Sequence, residues 1–325
     1  MRYGVPQGSC LGPCLFVIYA SKLFTIIENH LPDAHAFADD SQLYISFKPG
    51  SMVEESAAIK AMQDCIMDIR KWMLANKLKL NDDKTEFIII GTKQQLAKVS
   101  VDSLRIGNEM IKSSCVVKNL GSWFDTQLKM DVHINKSCRA AFFHLCNIRR
   151  MRKFLSFDTT QILVNAFITS RLDYCNSLLY GLPANQICKL QRVQNSAARL
   201  ICDINRFDHI TPVLYKLHWL PVRYRINFKI LLITYKAING FAPEYISELI
   251  KLKVATRYNL RSSTALLLDI PRSKTLRTLG DRSFEVAAPT LWNSLPGEIR
   301  NACNISTFKK MLKTHFFIKA FSSML

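Results

Sequence analysis

Two adjacent acids, Asp39 and Asp40, sit between apolar residues in Ala36-Phe37-Ala38-Asp39-Asp40. Neighbouring carboxylates repel, and a tight turn that holds both is costly unless a cation binds there. A divalent ion relieves that repulsion. In two-metal phosphoryl transfer, carboxylates hold two ions roughly 3.5–4 Å apart, between the attacking and leaving oxygens. A solvated Asp-Asp turn is the competing reading of the pair taken alone, since Asp is common in turns. A second candidate is Gly4-Val5-Pro6-Gln7-Gly8-Ser9-Cys10-Leu11-Gly12-Pro13. Its glycines permit close backbone approach to a ligand, and Gln7 offers a donor and an acceptor. An ordinary Gly/Pro turn ahead of a helix is the alternative there.

The elements that must position these residues follow from periodicity. Leu11 to Ile27 predicts a helix entered at Pro13. Ala34 to Phe47 predicts a hairpin, because Leu43, Ile45 and Phe47 alternate with Gln42, Tyr44 and Ser46 beyond the acids. Glu54 to Asn76 is helical by its apolar spacing, with Glu54 and Glu55 as first-turn acids. Thr85 to Gly91 is expected as a short apolar strand. Leu104 to Ile106 and Met110-Ile111 are expected as a hairpin about Gly107-Asn108. After about Asp131 the pattern turns helical: His133 to Phe154, Thr160 to Tyr174, Asn185 to Cys202, Val222 to Asn239 and Ser306 to about Phe321. On Asn185 to Cys202 an apolar stripe leaves Gln191, Arg192, Gln194 and Arg199 off it. Lys253 to Thr278 reads as irregular and basic.

Taken together and in order, these segments resemble the reverse transcriptases of non-LTR, LINE-type retrotransposons. Gly4 to Phe16 is similar to motif B, with its Pro-Gln-Gly core. Phe37 to Asp40 is similar to motif C. Trp72 to Gly91, with Asn76-Lys77-Leu78, Leu80-Asn81 and Lys84-Thr85-Glu86, is similar to motif D. Lys118-Asn119-Leu120-Gly121 with Phe124-Asp125 is similar to motif E, the primer grip. His133 to Leu325 resembles the tail of jockey-like elements, including Arg171 to Asn176 and Leu291 to Pro296. Only three residues precede Gly4, so the family's motif A, with its further metal-binding Asp, is expected to be missing together with the fingers.

The resemblance implies an α+β fold: a partial polymerase palm over residues 1–130, a helical thumb-like region over 131–240 and a basic C-terminal extension over 241–325. It implies an RNA-directed DNA polymerase fragment that transfers nucleotides onto a primer 3′-hydroxyl with Mg²⁺, inactive or weak in isolation. Asp39 and Asp40 are implied as metal ligands, and Lys84 as the proton donor to the leaving pyrophosphate, against the alternative of an exposed strand-edge lysine. Gln7, Gly8 and Phe37 are implied at the nucleotide and template, and Leu120 and Gly121 at the primer terminus. The implied partners are an RNA template, a DNA primer and deoxynucleoside triphosphates.

Charge separates the chain into two parts. The net +19 is carried unevenly, with 15 basic against 14 acidic residues up to Met130 and 29 against 11 beyond it. Such an excess points to a polyanion. In the run Arg149, Arg150, Arg152 and Lys153, beside Phe154, basic groups are placed to follow a phosphate backbone; a solvated helix end is the competing reading. A non-catalytic nucleic-acid-binding protein is therefore the alternative function. An ATPase is disfavoured by the lack of a Gly-x-x-x-x-Gly-Lys-Ser/Thr loop. His133, Cys138, His144 and Cys146 fall within one helix at no familiar zinc spacing. Trp219 and Trp292, next to Leu-Pro pairs, read as core anchors. The ten scattered cysteines, with no signal peptide and no apolar run of membrane-spanning length, place the chain in the nucleus or cytoplasm rather than outside the cell, without a membrane.

Overall fold

A computed structural model describes residues 8–31, 33–107, 109–253, 266–271 and 279–322. Gln7 and most of Lys253 to Thr278 lie outside the described residues. The fold is α+β, with short antiparallel strand pairs and a helical C-terminal part. The chain divides into two compact units, Met1–Leu128 and Lys129–Leu325.

In the first unit, α1 (Gly12–Ala20) starts with Pro in its first turn, where the missing N–H costs nothing. It ends one residue before α2 (Lys22–Glu28). The expected single helix is thus broken at Ser21, whose N–H reaches Ile18 O rather than the carbonyl four residues back. The hairpin of β1 (Asp33–Phe37) and β2 (Asp40–Tyr44) follows. Leu43, Ile45 and Phe47 are half-buried while Tyr44 and Ser46 are exposed, as a strand with one covered face requires. The long α3 (Met52–Ala75) is capped by Ser51, whose hydroxyl accepts from the Glu54 N–H. Its stripe of Met62, Cys65, Ile66 and Ile69 joins Ile27, Leu31, Leu104 and Ile106 in one core. The short α4 (Lys93–Leu96) carries a capping box. Two further hairpins complete the unit, β3 (Ser103–Ile106) with β4 (Glu109–Lys112), and β5 (Val116–Asn119) with β6 (Ser122–Asp125). Thr85 to Gly91 does not form the expected strand. Among the described residues its one ladder contact is a single bridge from Phe87 to Ser113, so the chain there is extended without a continuous partner.

The second unit is helical: α5 (Asp131–Met151), α6 (Phe157–Val164), α7 (Ser170–Asp173), α8 (Ala184–Cys202), α9 (Thr211–Lys216), α10 (Val222–Ile238), α11 (Glu244–Ser247), α12 (Phe284–Asn293), α13 (Gly297–Arg300) and α14 (Ile305–Phe321). A π-turn over Asn165–Thr169 joins α6 to α7. α5 packs on α8, and α10 on α12 and α14. Around α10, Trp292 is fully buried with Leu231, Tyr235 and Phe308; its indole N–H donates to Leu266 O at 2.8 Å. Trp219 is buried as well. Gln194, off the apolar stripe by sequence, is buried because its amide donates to Leu220 O at 2.9 Å, while Gln191 Oε1 accepts from the Val222 N–H. Those bonds clamp the chain as it enters α10. Asp173 receives the Arg225 guanidinium on both oxygens, a bidentate pair.

Candidate active site

The register of the first hairpin fixes where the acids stand. Phe37 pairs with Asp40, so Ala38 and Asp39 form a two-residue turn. Ala38 sits at φ 56°, the left-handed region that two-residue hairpin turns demand and that a side chain resists. Asp39 occupies the turn and Asp40 opens the second strand; both are exposed. Phe37 is 66% exposed across from Asp40, an apolar ring at the mouth of an acidic turn. Gly8 is exposed at φ 87°, with open space where a Cβ would stand.

A second two-residue turn lies in the β5–β6 hairpin. Leu120 and Gly121 have φ of 43° and 84°, both positive, as a type I′ turn requires. Gly121 meets that at no steric cost; Leu120 does not. Side-chain bonds then draw three segments together. Gln42, two residues past Asp40, donates its amide to Asn119 Oδ1 at 2.9 Å. Lys118 N–H, one residue earlier, donates to Glu86 Oε2 at 3.3 Å. Glu86 is two residues past Lys84, which is exposed on a 3-10 turn over Asp82–Lys84, not at a strand edge. That turn is held to α3 by the Arg70–Asp82 ion pair at 2.5 Å. The Asp39-Asp40 hairpin, the Leu120-Gly121 turn and the Lys84 segment are thus linked in series. Gln42, Glu86 and Arg70 do this linking and were missed from sequence. Gln42 and Asn119 lie 77 positions apart, beyond any periodic signal.

Two adjacent aspartates suit one Mg²⁺, a cation held by one or two carboxylates that leaves its other positions to water and phosphate oxygens. They do not by themselves make a complete two-ion cage. Among the described residues, no three or more His, Cys, Asp or Glu side chains gather into a group able to hold a metal.

In the second unit, Arg149 and Arg150 are exposed near the end of α5, and Lys153 lies 4.8 Å over the Phe154 ring. Arg152 departs from the expected phosphate contact. Its guanidinium donates to Leu155 O at 2.9 Å, Leu200 O at 3.0 Å and Ile201 O at 3.2 Å, satisfying carbonyls at the end of α8. His133 is buried, which pulls its pKa below the usual histidine value, and His144 stacks on Phe167 with ring centres 5.1 Å apart. Among the described residues no helix is long and apolar enough to cross a membrane.

Residues 2–124 match the family described as reverse transcriptase (RNA-dependent DNA polymerase). The chain is 25% identical over 214 residues to the probable RNA-directed DNA polymerase from transposon BS of Drosophila melanogaster. That match covers 62% of the chain and 22% of the relative, so the chain spans about a fifth of the relative's length. No solved structure matches.

Proposed function

We propose, on the match of residues 2–124 to the reverse transcriptase family, that the first unit is a retrotransposon polymerase palm acting in RNA-templated nucleotidyl transfer. The observation that carries this reading is the linkage of Gln42 to Asn119 and Lys118 to Glu86. It ties the Asp39-Asp40 hairpin to the two segments with which a palm would hold primer and leaving group. Similarity to a transposon polymerase supports the reading, and a non-catalytic binding protein is not favoured.

Asp39 and Asp40 would hold Mg²⁺, which would supply electrostatic stabilisation to the phosphate oxygens in transfer. The chain's own groups do the rest. The Leu120-Gly121 turn seats the primer terminus, so that its 3′-oxygen meets the nucleotide α-phosphorus. Gln7 and the open backbone at Gly8 approach template and nucleotide, and Phe37 packs behind them. The 3′-hydroxyl proton passes to water as the new bond forms, and as the bond to pyrophosphate breaks, the Lys84 ammonium gives its proton to the leaving oxygen. The second unit, with Arg149, Arg150 and Lys153, lies along nucleic-acid phosphates.

Two measurements test this. The amides of residues 37–41 should broaden on titration with paramagnetic Mn²⁺ in the wild type and not in the Asp39→Asn, Asp40→Asn double variant. Primer extension on an RNA template with Mg²⁺, at enzyme excess, should show slow single-nucleotide addition that falls about 10²-fold or more in Asp39→Asn. Slowness is expected because, among the described residues, no third acid gathers with Asp39 and Asp40. Addition indifferent to both aspartates would overturn the assignment.

A further inference from the structure

The second unit holds a cavity of about 1180 Å³, lined by residues of α5, of α8 and of the segment that follows α8. Its walls are strongly basic. α5 and the turn after it contribute Arg149, Arg150 and Lys153; α8 contributes Arg192 and Arg199, and Arg206 follows. Asp203 is the one acid among the lining residues. The two helices place these side chains by repeat. Arg192 and Arg199 are seven residues apart on α8, with Asn195 and Ser196 between them, and Phe142, Cys146 and Arg149 recur along α5 at four and three, with Lys153 in the turn that follows.

Like charges at such density repel one another, and most have nothing to offset them. The side chains of Arg149, Arg150, Arg192 and Arg206 are exposed and make no hydrogen bond or ion pair among the described residues. Arg199 donates one guanidinium nitrogen to Asp208 O at 3.1 Å, yet its Nε is buried without a partner. A buried donor left unmet is unfavourable, and an anion in the basin would relieve it. Arg152, whose guanidinium is taken up by backbone carbonyls, keeps the α5 end and the α8 end in fixed relation. The cavity is therefore a basin of cations held in place by Arg152.

Its shape selects among polyanions. A volume just above the ~300–1,000 Å³ of sites that enclose a small molecule takes about two or three nucleotides. A duplex keeps its bases stacked inside, with only their edges open to the grooves, and offers no base face to an apolar wall. The cavity also has an apolar side, formed by Leu145, Ile204 and Phe142, whose ring is 40% exposed. Cations tracking phosphates beside an exposed aromatic face form the platform that single strands use.

We propose that the basin between α5 and α8 binds a single-stranded stretch of nucleic acid, its phosphates on Arg149, Arg150, Arg192, Arg199 and Arg206 and an unpaired base against Phe142. This rests on the reading of the second unit as a nucleic-acid module and deepens it by naming the strand form. It is independent of whether the first unit catalyses.

The test is fluorescence anisotropy of the full chain with a labelled single-stranded decamer and with a blunt duplex of the same length, each across a salt series. Three proteins are compared: wild type, the triple variant Arg149→Ala, Arg150→Ala, Arg192→Ala, and Phe142→Ala. The three arginine side chains make no hydrogen bond or ion pair among the described residues and Phe142 is well exposed, so circular dichroism melts should coincide. The triple variant should bind the single strand at least tenfold more weakly. Its log–log salt slope should fall by about 2, from ~0.7 per lost phosphate contact on a single strand. Phe142→Ala should lose about tenfold in affinity for one stacked base with the slope unchanged. Duplex affinity should hardly move in either variant. Wild-type single-strand binding by the triple variant would overturn the proposal. So would equal losses for duplex and single strand, or full competition by millimolar inorganic phosphate or ATP, which would mark a simple phosphate pocket. Failure of the wider reading looks different: neither strand form would bind the wild-type chain at all.

Discussion

Gln42 donates its side-chain amide to Asn119 at 2.9 Å, joining the strand that follows Asp40 to the residue that precedes Leu120. The bond is half-buried and neutral, so its net worth is about 1 kcal/mol. Gln42→Leu should therefore cost roughly that much stability. Its specific mark is local. Amide exchange should quicken across residues 37–41 and 119–122 while α3 keeps its protection. Uniform loss of protection through the first unit would show that the bond supports the fold generally and does not couple the two hairpins in particular.

The two turns store strain of the same kind. Leu120 at φ 43° and Ala38 at φ 56° hold side chains in the left-handed region. Leu120→Asn produces the Asn-Gly pair that type I′ turns favour. Ala38→Gly removes a Cβ from a residue next to Asp39. Each should stabilise the first unit by about 0.5–1 kcal/mol, with the gain for Ala38→Gly reduced by the freedom glycine has when unfolded. Urea unfolding midpoints are the measurement. A loss of stability in Leu120→Asn would mean that the leucine's packing outweighs its backbone cost.

How much of this was legible in the sequence depended on range. The Asp39-Asp40 hairpin could be read because Leu43, Ile45 and Phe47 alternate over a few residues, and the helices of the second unit because apolar residues recur at three and four. Glu55 could not be read. It lies in the first turn of α3, where an acid is usually a surface charge favoured by the helix dipole. Instead it is buried, and its Oε1 accepts from the backbone of Ser100 and Val101 at 2.8 and 2.6 Å. Those partners are more than forty residues away, and a propensity argument has no access to them. Thr85 to Gly91 failed for a related reason: an apolar run permits a strand, but only a partner makes one, and Ser113 supplies a single bridge. The three links around the candidate site span 77, 32 and 12 positions, so the candidate residues are legible in local pattern and their supports are not.

Acid should loosen the second unit. Burial holds His133 below the usual histidine pKa, and burial with Lys319 does the same for His315. The unfolded chain, near pKa ~6.5, takes up protons first as pH falls. The contribution of these rings to stability is complete above about pH 6.5 and declines as pH drops through that value toward the folded pKa. Melting temperatures of the full chain should fall between pH 7 and pH 5.5. His315→Gln should flatten that slope whatever it does to the temperature at pH 7. An unchanged slope in His315→Gln would place the acid sensitivity elsewhere.

Arg149 and Arg152 are three positions apart in one basic run, and the structure gives them opposite work. Arg149 is exposed at the basin with no side-chain bond among the described residues, while Arg152 donates to three backbone carbonyls at the ends of two segments. Replacing Arg152 leaves those carbonyls without donors in a half-buried setting, each unmet group costing about 1–3 kcal/mol where water cannot reach it. Arg152→Ala should therefore lower the unfolding free energy of the second unit by roughly 2–3 kcal/mol. Arg152→Lys should recover little of it, since one ammonium cannot span three carbonyls in a planar fork. Below the melting temperature the salt slope for single-strand binding should stay near wild type in Arg152→Ala, because that guanidinium is already engaged. Arg149→Ala should do the reverse, leaving stability within about 0.5 kcal/mol and lowering the salt slope by about 0.7. Paired melts and salt titrations on the two variants separate the roles. A stable Arg152→Ala with a reduced slope would show that its backbone bonds open for phosphate and that the whole run works as one contact surface.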